Sequence, residues 1–149
     1  MSVLSGAAKN SNKGRKNKMA LIQLKKDVNL TLSTEMALLT GYVARLWTGG
    51  GMGAFVITSA RDGAHMEGSK HYSGNAVDIR TKAWLKPDGL HKEEVSVFVK
   101  SLRARAGAFG LDVHLHPEDD IRLKLRQRPA HLHLEYDPQE GEQLWEFVR

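Results

Sequence analysis

The chain has no cysteine, only four prolines, and no apolar run near the roughly 20 residues that cross a bilayer. The missing cysteine excludes disulfides. It also excludes thiolate metal ligands, so any zinc site must be built from histidine and carboxylate. The N-terminus has no apolar core of the signal-peptide type, so no secretory leader is expected. Beyond residue 18 the chain is neutral and offers no aromatic-basic surface pattern of the nucleic-acid-binding kind. The first 18 residues contain no acid. They hold Lys9, Lys13, Arg15, Lys16 and Lys18, and these five account for the whole net charge of +5. The remainder is electrically balanced. The stretch SGAAKNSNKGRKNK has no apolar period, so residues 1–18 are expected to be a disordered basic tail. Such a tail is either a weak contact for an acidic polymer or a functionally silent solvated segment.

The full chain of 149 residues is 41% hydrophobic and 26% charged, enough for one soluble domain with its own core. Residues 19–27 read equally as a short helix or an edge strand. Ser33 or Thr34 caps a predicted helix whose apolar set is Met36, Leu38, Leu39, Val43, Leu46 and Trp47, and GGGMG at 49–53 ends it. AFVITSA (54–60) reads as a buried strand, 61–74 as a polar loop and AVDIRT (76–81) as a second strand. A helix over 91–106 places Val95, Phe98, Val99, Leu102 and Ala106 on one face. GLDVHLH (110–116) and AHLHLEY (130–136) alternate as strands. PEDDIRLKLRQRP is a charged excursion of hairpin type, and the C-terminus is read as a turn and a short helix. This order predicts an α+β single domain over 19–149. It has a small, mostly antiparallel sheet with helices packed around it, and the histidines and aspartate that follow would set a zinc site on the sheet face.

Alternation puts His131, His133 and Glu135 on one face of their strand, with Leu132, Leu134 and Tyr136 on the other. Alternate residues lie about 6.5–7 Å apart, so one histidine can bind a metal while the other reaches water or substrate. His71 ends the polar loop, and Asp78 follows on the next strand. Ser73 and Gly74 let the chain turn so that the two converge. A histidine from a neighbouring strand completes a three-ligand set with an open fourth position, the catalytic form of zinc site. Two HLH stretches compete for that third place, His131/His133 and His114/His116.

Together, Ser69, His71, Gly74, Ala76 and Asp78 read S-x-H-x-x-G-x-A-x-D, followed by HxH on a strand. The segments VITSARDG, SKHYSGNAVDIRT and HLHLEYDP, spanning roughly 54–138, resemble a family of zinc peptidases. That family groups D-alanyl-D-alanine carboxypeptidases, penicillin-insensitive murein endopeptidases, lysostaphin-type enzymes and the hedgehog signalling domain. The likeness is nearest to short members, many of them encoded by bacteriophages. It implies Zn2+ held by His71, Asp78 and His133. It places His131 at the general base or transition-state position and Arg61 near a substrate carboxylate or oxyanion. Ser69 would position the loop or the substrate, and the substrate would be a peptidoglycan peptide. HLHLEYDP carries the resemblance and the flanks of His114/His116 do not, which favours His133 as the third ligand. Many members have a glutamate base three residues before the last zinc histidine, but here that position is Ala130. The base role then falls on His131, or on Glu118 or Asp120 from the excursion. The alternative is a zinc-binding module or virion component without catalysis. A phage-encoded member would be made in the cytoplasm without a signal peptide. It would act at the wall after release or from the virion. His65 and His91 read as solvated bystanders. Glu135 reads either as a partner that orients a histidine or as half of a cross-strand ion pair.

Overall fold

The computed structural model describes residues 20–61, 69–85, 92–116 and 130–149. The basic segment 1–18, His65, His91, and the excursion with Glu118 and Asp120 lie outside these residues. Helix α1 (Thr34–Gly49) starts where the sequence places a cap: the Met36 N–H donates to Ser33 Oγ at 3.2 Å. Its inward stripe is Met36, Leu39, Thr40, Val43, Ala44 and Trp47, a spacing of three and four residues. Leu38 was expected on this face but is 52% exposed, because it lies off the line joining Met36, Leu39 and Val43. Helix α2 (Lys92–Gly107) buries Val95, Val99, Leu102 and Ala106, and Phe98 packs against them, as the periodicity predicts.

Five strands form one sheet: β1 (Gln23–Leu24), β2 (Val56–Ser59), β3 (Ala76–Arg80), β4 (Leu111–His116) and β5 (His131–Tyr136). Their order is β1-β2-β3-β5-β4. The β1–β2 pair is parallel and the others are antiparallel. Of the stretch that read as either helix or strand, Gln23–Leu24 forms an edge strand, and the described residues 20–27 contain no helix. The β2–β3 ladder is irregular: Ile57 faces Ile79 but Ser59 faces Asp78, so two steps along β2 match one along β3. The architecture is the expected small α+β domain with a mostly antiparallel sheet. Among the described residues no helix is long and apolar enough to cross a membrane.

The register sorts the sheet into two faces. Val77, Leu134 and Val113 form one row, and Ile79, Leu132 and Leu115 the next; these join the helical stripes in the core. Beneath α1, Trp47 stacks on Trp84 at 4.7 Å and meets Phe55 edge-on at 5.3 Å. Trp84 donates its indole N–H to the Met52 carbonyl at 3.0 Å. Both tryptophans are therefore packing residues, whereas Trp145 is 39% exposed.

The C-terminus departs from its expected helix: residues 137–149 form turns, bends and irregular chain. Gly141 adopts a left-handed φ of 76°, and Glu142 N–H donates to the Ala108 carbonyl at 2.7 Å. This bond ties the segment to the end of α2, so the chain follows that surface rather than coiling on itself.

Candidate metal centre

The opposite face of the sheet is polar. Its rows are Ala76–Glu135–Asp112, Asp78–His133–His114 and Arg80–His131–His116, taken from β3, β5 and β4 in turn. Asp78 and His133 are therefore direct cross-strand partners, and strict alternation on both strands brings them to the same side.

His71 reaches this face from a turn rather than a strand. Tyr72 N–H donates to the Ser69 carbonyl at 3.2 Å and Asn75 N–H to the Lys70 carbonyl at 2.9 Å. Ser69 Oγ accepts the His71 N–H at 3.2 Å, so the serine shapes the turn that carries the histidine. Gly74 has a φ of 74°, a left-handed value that favours glycine. A β-carbon there would meet the Thr31 carbonyl oxygen at 2.8 Å and the Leu32 α-carbon at 3.2 Å. Gly74 thus allows the turn to dock against the entry to α1. Ser33 N–H donates to the Gly74 carbonyl at 3.0 Å, and Ser33 Oγ donates to Asn75 Oδ1.

The His71 ring is buried, with its side chain 3% exposed. Its Nδ1 lies 2.6 Å from the Ala60 carbonyl oxygen, which can only accept, so Nδ1 carries the proton. Nε2 lies 3.5 Å from Asp78 Oδ2. A lone pair and a carboxylate oxygen at that distance repel unless a proton or a metal cation sits between them. Asp78 Oδ1 lies 2.7 Å from His133 Nδ1, and His133 Nε2 lies 3.2 Å from Glu135 Oε1. Burial would raise the Asp78 pKa, but the hydrogen bonds and charges of His133 and His71 outweigh it. They hold the carboxyl well below the usual range. Burial lowers the His133 pKa, yet the carboxylates of Asp78 and Glu135 prevail and raise it above 6.5.

His71, Asp78 and His133 offer donor atoms that all lie within 4.8 Å of one another, a group that could hold a metal ion. The donor chemistry fits. A carbonyl fixes the His71 tautomer with Nε2 toward the centre. Glu135 backs the far nitrogen of His133 and leaves Nδ1 as its donor. Such outer partners orient ligands and raise their basicity. Of the two HLH stretches, the described residues place His133 in the group, not His114 or His116. Glu135 takes the orienting part. His131 lies one step along β5, with Nε2 4.0 Å from Asp78 Oδ1. Arg61 directly follows Ala60, but its side chain is exposed while its backbone N–H donates to the Asn29 carbonyl at 3.1 Å. The Ala60 carbonyl has no counterpart in the motif reading, since any residue can supply one. The only hint was that the strand containing it precedes the histidine loop.

Metal affinity is expected to follow pH through His133. Its Nδ1 proton must leave before a cation can bind, and its pKa lies above 6.5. Affinity should be flat above that pKa and fall about tenfold per pH unit below it, so the loss begins above pH 6.5. Asp78 stays ionised through this range and adds no slope. Titration calorimetry at several pH values measures it; equal affinity at pH 5.5 and 8 would contradict the scheme.

Comparison with protein-family models, with curated proteins and with solved structures gave no match to the chain.

Proposed function

We propose that this chain is a zinc-dependent peptidase that hydrolyses a peptide bond in bacterial peptidoglycan stem peptides. The observation that carries the reading is the His71–Asp78–His133 group, three donors converging on the polar face of the sheet. Two imidazoles and one carboxylate without sulfur suit Zn2+, and three protein ligands leave a coordination position for water or substrate. The resemblance of SKHYSGNAVDIRT and HLHLEYDP to the cell-wall zinc peptidases supports the substrate class. Zinc bound here would supply an acidified water and a polarised carbonyl.

The chain's own residues supply the rest. His131 Nε2, beside Asp78, takes the proton of the attacking water and returns it to the leaving amine. Arg61, exposed two residues past β2 and next to the Ala60 carbonyl that holds His71, would meet a substrate carboxylate or the developing oxyanion from the solvent side. Ser69 keeps the His71 turn in shape. Ala130, which stands where a glutamate base is common in the resembled family, favours the second reading, a zinc-binding module or virion component without turnover.

One experiment separates the two. Purified protein is expected to hold about one zinc per chain. Digestion of purified muropeptides from several wall types, followed by mass spectrometry, should release a product lacking part of its stem peptide. Zinc without product on every wall type would sink the peptidase and leave the module. Protein that takes up no zinc would sink both.

A further inference from the structure

The polar face carries more histidine than the metal group uses. β4 and β5 pair so that His116 lies directly opposite His131, one row beyond His114 and His133. The His116 and His131 ring centroids are 4.8 Å apart, with the rings inclined at 44°. The metal group supplies an internal ruler: its two rings, His71 and His133, are 5.1 Å apart at 52°. Two imidazoles sharing one cation at nitrogen–metal distances of about 2.0–2.1 Å have their centres about 5 Å apart. The second pair therefore has the spacing of the first. Both of its members are half-buried, so a cation can approach from solvent. His114 is exposed, its ring 6.2 Å from that of His116.

We infer that His116 and His131 form a second binding site for a first-row divalent transition-metal ion, distinct from the His71–Asp78–His133 group. Imidazole donors alone select Cu2+, Ni2+ or Zn2+ over the oxygen-seeking Mg2+ and Ca2+. The site is the weaker of the two. Arg80 lies opposite His131 on β3, which sets a positive charge beside the incoming cation. A cation already in the first group adds further repulsion. The regulatory consequence rests on the proposed peptidase reading: an ion held by His131 takes that ring away from proton transfer, so excess metal stops turnover.

The test is equilibrium dialysis of the full metal-free chain against rising Zn2+, with metal analysis of the protein. Wild type should pass from about one to about two ions per chain, and His116→Ala should stop at about one with the tighter step unchanged. His131→Gln should lose the same second ion, guarding against a folding defect peculiar to one variant. Saturation of wild type at one ion that His116→Ala still binds, or a second ion retained by His116→Ala, would overturn the site. If the tighter ion is lost while the His116-dependent one remains, the first metal group fails and this site stands. In turnover assays, excess Zn2+ should inhibit wild type and leave the rate of His116→Ala, compared with its own rate at limiting Zn2+, unchanged.

Discussion

Replacing Asp78 by alanine is expected to cut metal affinity by more than about 100-fold and to abolish the proposed zinc-dependent hydrolysis with it. Losing an outer partner of a metal ligand typically costs about 10–100-fold, and Asp78 is placed as a ligand itself, so its loss should exceed that range. Its carboxylate meets both histidines of the group: Oδ2 lies 3.5 Å from His71 Nε2 and Oδ1 2.7 Å from His133 Nδ1. Without it the site keeps two neutral donors on separate elements and no negative charge at its centre. The fold should survive. Asp78 points away from the core, while its neighbours Val77 and Ile79 are fully buried on the other side of β3. Circular dichroism should therefore be unchanged while dialysis shows the metal gone. An Asp78→Ala protein that binds zinc like wild type would show that the ion sits elsewhere.

His131→Ala should do the reverse, keeping the tight metal and losing turnover by about 100- to 10,000-fold, the usual worth of a positioned acid–base group. His131 is a neighbour of the metal group rather than a member, 4.0 Å from Asp78 Oδ1, so removing its ring leaves all three donors in place. The readout is a pair of numbers, zinc content and turnover, compared with His133→Ala, in which both should fall together. Full turnover in His131→Ala would move the base to another residue, with Glu118 and Asp120 the first to replace. Partial loss that is fully explained by lost zinc would make His131 a ligand instead.

Much of this site is legible in the sequence because alternation is insensitive to pairing. Whatever β5 pairs with, His131, His133 and Glu135 share a face, and so do Ala76, Asp78 and Arg80 on β3. The helices are legible for the same kind of reason: Ser33 as a cap and the Met36–Val43–Trp47 spacing require no knowledge of the partner. Features that depend on tertiary placement are not legible. The Ala60 carbonyl that fixes His71 has no side-chain signature. Nothing in LDVHLH says that its histidines will line up beside those of β5 rather than elsewhere. Leu38 was misplaced because composition marks it as apolar but cannot give the angle of the stripe. The C-terminal helix failed because Gly141 takes a left-handed φ, so the backbone of residues 140–142 packs against the end of α2.

The irregular step in β2 has a meaning beyond topology. Between Ile57 and Ser59 the strand gains a residue on its partner, and the chain beyond it turns its Ala60 carbonyl onto the His71 ring. A regular ladder would continue the pairing with β3 and aim that carbonyl along the sheet. Sheet regularity and site geometry therefore compete at a single backbone step, and here the geometry prevails. Among the described strands, the least orderly pairing is the one that decides which nitrogen of a histidine faces the centre.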